Sequence, residues 1–152
     1  MIHIQGDGGH AKVVRDVLQY YQHLGEKNAC VAIGDNTDRR DEYHTLQYEG
    51  YLFPSLQHPT AVVSSQLGEG TIVMANAVVQ PGCRIGRMVI INTGATVDHD
   101  CVVDDFAHIA PGVHLCGGVH VGEGALVGVG SCAVPGAKIP AWSLVKAGSV
   151  VK

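Results

Sequence analysis

The sequence predicts a mainly β protein: a small α/β unit over residues 1–57, followed over residues 58–152 by a parallel β-helix of six-residue repeats. Two observations predict it. From Ala61 to Val151 every sixth residue is aliphatic without exception, a period that fits neither the 3.6 of a helix nor the 2 of an open strand. Two residues before most of these beats the side chain is small, as at Thr71, Ala77, Cys101, Ala125 and Ser131. A chain that coils around a narrow core produces that double pattern, which is the signature of a hexapeptide β-helix.

Three repeats close one turn, so residues 18 apart should stack. The aliphatic and the small residue of each repeat point inward, because a triangular interior is too tight for two large side chains per side. Rungs rise by the strand spacing of roughly 4.8 Å, so five rungs make a prism about 24 Å tall. Each rung buries its apolar side chains only against its neighbours. Gly86, Gly122 and Gly128 directly follow an aliphatic beat and mark corners.

The first 57 residues do not follow the repeat. Met1–Gln5 reads as a strand, Gly6-Asp7-Gly8-Gly9-His10 as a glycine-rich turn, and Ala11–Leu24 as a helix. Its apolar stripe is Val13, Val14, Val17, Leu18, Tyr21 and Leu24. Cys30–Ile33 reads as a second strand, Thr37–Leu46 as a polar helix with Arg39–Arg40, and Tyr51–Phe53 as a third strand ending at Pro54. This β-α-β-α-β order implies a parallel sheet. So short a unit buries little surface alone and is expected to lean on the first rung of the prism.

Composition narrows the function. The net charge is −4 and only 5% of residues are aromatic, which is no nucleic-acid footprint. No apolar run approaches 18 residues, so no membrane partner is expected. The opening Met-Ile-His-Ile-Gln-Gly does not read as a signal peptide. The odd set Cys30, Cys83, Cys101, Cys116 and Cys132 points to a reducing, cytoplasmic setting. Cys83 and Cys101, 18 apart, read as stacked small core residues.

Two places carry chemistry. A strand, then Gly-x-Gly-Gly, then a helix presents backbone N–H groups and the helix dipole to a phosphate. The same turn also serves as a plain strand–helix connection, and no acidic residue ends a second strand roughly 20 residues on, as a full dinucleotide fingerprint requires. The second place is Asp98-His99-Asp100. An imidazole can take a proton from an attacking amine or hydroxyl, and a carboxylate would orient it and raise its basicity. Neighbours on a flat strand point to opposite faces, so a His99–Asp100 contact needs a corner between them. Without that contact, His99 is a solvated surface residue. His108, His114 and His120, spaced by six, fall on successive sides of the prism. Zinc is the rival use of such histidines, in a γ-carbonic-anhydrase-like hydratase with three protein ligands and one open position. A non-catalytic binding trimer is a further alternative. We expect no metal.

The stretch Ile91-Asn92-Thr93-Gly94-Ala95-Thr96-Val97-Asp98-His99-Asp100-Cys101, with Phe106-Ala107-His108-Ile109-Ala110-Pro111-Gly112, resembles the sugar O- and N-acetyltransferases of the NeuD and PglD type. The openings Gly6-Asp7-Gly8-Gly9-His10-Ala11-Lys12-Val13-Val14 and Val31-Ala32-Ile33-Gly34-Asp35-Asn36 match as well. The resemblance implies a truncated Rossmann-like domain followed by a left-handed β-helix, assembled as a homotrimer with sites between protomers. It implies acetyl-CoA as co-substrate and a UDP-linked amino sugar as acceptor, with sialic acid O-acetylation as the alternative. His99 would be the general base and Asp100 its acidic partner. His108, Gly117, Val129 and Ala147 would contact the cofactor. Gly8, Gly9, His10, Gly34 and Asn92 would line the acceptor site. The chain departs from the family in lacking the acidic pair that members usually carry on a second strand of the first domain.

Overall fold

A computed structural model describes residues 2–152; the first residue of the expected strand Met1–Gln5 lies outside it. The chain opens with β1 (His3–Gln5), α1 (Gly9–Leu18), β2 (Ala29–Val31) and α2 (Asn36–Tyr48). From Leu56 onward it winds into a parallel β-solenoid of about five turns, the class the repeat predicts. The prism sheet begins inside the expected first unit, at Leu56–Gln57.

Two-residue strands stack into three faces. The turn beginning at Ile90 visits them in order. Ile90–Ile91 lies on a six-stranded face running from Leu56–Gln57 to Leu144–Val145. Thr96–Val97 lies on a second six-stranded face, from Val62–Val63 to Val150–Val151. Val102–Val103 lies on a four-stranded face, from Arg84–Ile85 to Lys138–Ile139. Partners are 18 apart, as in Val102 with His120 and His108 with Leu126. The first repeat is out of step. Leu56 pairs with Ile72 and Val62 with Val78, so Val63 occupies the strand position expected for Ala61. The short corner before Leu67 absorbs the two-residue slip, and Leu67 bridges Ile85 in the regular spacing.

The inward positions form one core, with Val73, Val79, Ile91, Val97, Ile109, Leu115, Val121 and Val127 essentially inaccessible to water. Truncating one of these, Ile109 to Ala for example, costs about 2–5 kcal/mol. The small inward residues also serve the backbone. The side chains of Ser65, Thr71, Cys83, Cys101 and Ser131 each donate to a carbonyl fifteen residues on, at 2.7–3.1 Å. Cys83 and Cys101 thus stand in for serine, and both are free thiols.

Each corner is a two-residue turn whose second residue is left-handed, every six residues from Gly70 to Gly148. Glycine holds most of these places. Five are held by Asn76, Met88, Asp100, Phe106 and Trp142, with φ between 54 and 60°. A non-glycine residue there costs roughly 1–2 kcal/mol, so a bulky one marks a corner whose side chain has a task. Met88, Phe106 and Trp142 share one edge of the prism, and that edge carries the α/β unit.

The unit does not lean on the first rung alone. α1 buries Ala11, Val14, Val17 and Leu18 against Leu56, Ile72 and Met74 of the first six-stranded face. α2 sets Tyr43 and Leu46 against Phe53, Met88 and Phe106, with Tyr43 ring centroids 4.8 Å from Phe53 and 5.7 Å from Phe106. Phe53 O accepts from Gly70 N–H, and Asn36 Nδ2 donates to Gly124 O. The contact therefore runs down four successive corners. The helix expected to reach Leu24 ends at Leu18. Tyr21 and Leu24 continue the apolar stripe from reverse turns closed by Tyr21 N–H to Leu18 O and Leu24 N–H to Tyr21 O. The expected third strand is only a bridge between Asn28 and Leu52, so the unit's sheet has two parallel strands.

Candidate active site

His99 and Asp100 form one corner turn. The left-handed backbone of Asp100, φ 59°, turns its carboxylate back onto the preceding ring, and His99 Nδ1 lies 2.8 Å from Asp100 Oδ2. This is the corner the contact requires. A carboxylate only accepts, so the proton sits on Nδ1 and leaves the Nε2 lone pair free. Asp98 Oδ1 caps the turn by accepting from His99 N–H at 2.8 Å. The bond to Asp100, then the charge of Asp98, hold the His99 pKa above the ordinary imidazole value. On the rung below, Gly117 faces the ring so closely that a Cβ there would sit 2.7 Å from Nε2 and Cε1. The Gly118 N–H donates to His99 O at 3.0 Å and fixes that stacking.

The glycine turn forms a second cluster. Gly6, at φ +121°, approaches Ala32 O so closely that any Cβ would collide with it. α1 then starts at Gly9 with no side-chain cap and no acidic residue in its first turn. Gly6 to His10 and Ala32 to Gly34 line a cavity of about 430 Å³. His10 and His108 stand beside it with ring centroids 6.2 Å apart. Asn92 Nδ2 donates to His108 Nε2 at 3.0 Å. Burial first, then the Arg39 charge, pull both imidazoles down to about 4. His10 Nε2 is buried without a partner.

The structure thus gathers His99, Asp100 and Gly117 at one edge, and Gly8, Gly9, His10, Gly34, Asn92 and His108 on the face opposite that edge. Val129 and Ala147 are exposed at the third edge, one rung apart. His108, His114 and His120 lie on three different faces. Among the described residues no three His, Cys, Asp or Glu side chains converge as a metal-binding group, and no helix is long and apolar enough to cross a membrane. Sequence reasoning passed over Arg39, 1% exposed beneath the second cluster. Its neighbour Arg40 is half-exposed over the Trp142 ring, and nothing in an Arg–Arg pair on a polar helix distinguishes the two.

Comparison with known proteins gives concordant results. Residues 64–99 match the family described as bacterial transferase hexapeptide (six repeats). The chain is 29% identical over 84 residues to GDP-perosamine N-acetyltransferase of Escherichia coli O157:H7, a match that covers 54% of this chain and 38% of that protein. Two solved structures extend the likeness over 99% of the chain. Perosamine N-acetyltransferase from Caulobacter crescentus, a variant with one histidine replaced by asparagine in complex with CoA and GDP-perosamine, is 36% identical with a TM-score of 0.94 and 88% of its length covered. The acetyltransferase domain of PglB from Neisseria gonorrhoeae FA1090 is 33% identical with a TM-score of 0.90 and 90% covered.

Proposed function

Because the chain belongs to the NeuD/PglD-type sugar acetyltransferases, we propose that it transfers acetyl from acetyl-CoA to the amine of a nucleotide-linked amino sugar. The His99–Asp100 corner, an oriented imidazole with a free nitrogen, carries this reading. His99 Nε2 takes a proton from the amine as its nitrogen attacks the thioester carbonyl carbon. We assign the Gly117 N–H as donor to the oxyanion. The tetrahedral intermediate then breaks its C–S bond. CoA leaves as thiolate and takes the proton from His99, so the products are the amide and free CoA. No covalent acetyl-enzyme is needed.

The separation of the two clusters on one chain supports a homotrimer. His99 of one protomer would meet the glycine-turn cavity of the next, with acetyl-CoA in the groove between two prisms along Gly117, Val129 and Ala147. His108 and Asn92 would then face the reacting groups from the acceptor side. Three copies of 16.0 kDa would sediment near 48 kDa. The relatives' ligand carries GDP, while the resemblance implies UDP, so the nucleotide is a variable of the test.

Free-thiol release from acetyl-CoA is the assay, against GDP- and UDP-linked 4-amino sugars and free sialic acid. Turnover on a nucleotide-linked amine that falls about 10²–10⁴-fold in His99→Ala is the expected result. Turnover on sialic acid alone moves the activity to O-acetylation, and full activity in His99→Ala removes His99 from the chemistry.

A further inference from the structure

Arg39 is used by none of the steps above, yet it sits where the α/β unit, the prism and the glycine-turn cavity meet. Its guanidinium makes six hydrogen bonds in three directions. Nε donates to Met88 O at 2.9 Å. One terminal nitrogen reaches Ile33 O, Gly34 O and Asp35 O at 3.2, 3.2 and 3.3 Å. The other reaches Asn36 Oδ1 at 2.8 Å and Phe106 O at 2.6 Å. No carboxylate is among these acceptors. Asp35 hydrogen-bonds it only through its backbone, because the Asp35 side chain caps α2 at Thr37 and Asp38 N–H, and the carboxylate acts on the guanidinium only by its charge from a distance.

A buried guanidinium with no carboxylate in direct contact is a costly way to join two parts of a fold, since well-packed apolar side chains do that at least as well. What apolar packing cannot do is fix a loop's backbone to within tenths of an ångström. Arg39 fastens the loop Ile33–Asn36 to the carbonyls of two left-handed corners, Met88 and Phe106, which lie one rung apart. That loop is the rim of the cavity. Gly34 lines it and packs against the His10 side chain, whose Cβ would be 3.6 Å from a Cβ at Gly34, and the Gly34 backbone lies near enough to the His108 ring to act on its protonation. The place of Gly34 thus bears directly on the His10 ring, which stands 6.2 Å from that of His108.

We propose that Arg39 is the positioning residue of the acceptor pocket, pinning the Gly34 rim to the prism so that His10 and His108 hold the sugar at one place for acetyl transfer. This rests on the acetyltransferase reading. The nearby positive charge also favours neutral imidazoles at His10 and His108, which leaves the unpartnered His10 Nε2 able to accept a hydrogen bond, while the accepting nitrogen of His108 is held by Asn92. Lysine has neither the reach nor the fork for six carbonyl-type partners, so it should not substitute.

The test uses the full chain with Arg39→Lys, Arg39→Met and, as a milder variant that leaves the guanidinium in place, Asn36→Ala. Arg39→Lys and Arg39→Met are expected to raise the acceptor KM by about tenfold or more, with the acetyl-CoA KM held within about twofold. Asn36→Ala should move it in the same direction by less. Ring nitrogen shifts of His10 and His108 in histidine-labelled protein should change in all three variants. Equal changes in both KM values with only a lowered Tm would mean a fastening with no bearing on the pocket and would overturn the proposal. So would unchanged kinetics and ring shifts in any folded variant. If the wild type turns over no acceptor at all, the acetyltransferase reading fails on its own. The ring shifts then decide for Arg39: moved, it pins the rim; unmoved, it does not.

Discussion

Replacing Gly117 by Ala would put a methyl carbon 2.7 Å from Nε2 and Cε1 of His99 and 3.3 Å from Cδ2. Ordinary contact begins near 3.4 Å, so the ring must retreat by about 0.7 Å. Asp100 follows poorly, because its carboxylate is aimed by a left-handed backbone with φ 59°. The ring therefore either lengthens its 2.8 Å bond to Asp100 or swings toward solvent, where it is already 64% exposed. Either way Nε2 leaves the position from which, as the proposed general base, it would take the proton. A displacement of this size costs on the order of 10² in kcat/KM, about 2.7 kcal/mol of transition-state stabilisation. Gly117 is not among the left-handed glycines, so the backbone accepts alanine and stability should move by no more than about 0.5 kcal/mol. Thiol release on the best acceptor, beside a thermal melt, separates the two effects. A Gly117→Ala protein that melts like the wild type and turns over at its rate would refute the placement of His99 Nε2 at the reacting atoms.

With its pKa raised by Asp100 and Asp98, His99 is a free base only above its own titration, so kcat/KM should climb with pH through a limb lying above 6.5. Asp100→Asn should move that limb down toward the ordinary imidazole value, and a pH–rate profile checks this. His10 and His108 behave oppositely for stability. Their folded values near 4 lie below the unfolded 6.5, so the unfolded chain binds protons first as pH falls. Stability is full above about pH 6.5 and declines toward pH 4, by on the order of 3 kcal/mol per ring at the limit; urea titrations across that range should show a shallower decline in His108→Gln. Phe106→Ala empties a site 3% exposed beneath α2 and should cost about 3–5 kcal/mol. Trp142→Gly should change stability by under about 1 kcal/mol in the same titration, because the relief of a left-handed Trp offsets its stacking with Arg40.

The prism was legible because its signal is local and repeated. Each inward place demands the same kind of side chain every six residues, so Val97 or Ile109 needs no knowledge of the rest of the chain. The exception shows the limit. Ala61 and Val63 both suit the interior, and only pairing with Val79 reveals which stands on the strand. Residues 19–24 were misread because Tyr21 and Leu24 keep a helical apolar spacing while reaching the same core from turns. The His99–Asp100 contact followed from the repeat once a corner was granted between them. Arg39 did not, since its partners Met88 and Phe106 are 49 and 67 residues away and engage it through carbonyls that every residue has. A better clue lay in the corners, where Met88, Phe106 and Trp142 occupy places that glycine fills more cheaply.

A stack of rungs joined only to its neighbours tends to melt from its ends, like a column of coins losing them one at a time. The row of contacts from Gly70 through Met88 and Phe106 to Gly124 changes that behaviour. It lies across the rungs as a splint lies across a bone, so those turns can open only together. The turns beyond it, where Leu144 and Val150 stay largely exposed, have only the stacking of Arg40 on Trp142 as a brace. Amide exchange should therefore divide the solenoid into a block of uniform, deep protection and a graded margin that opens independently.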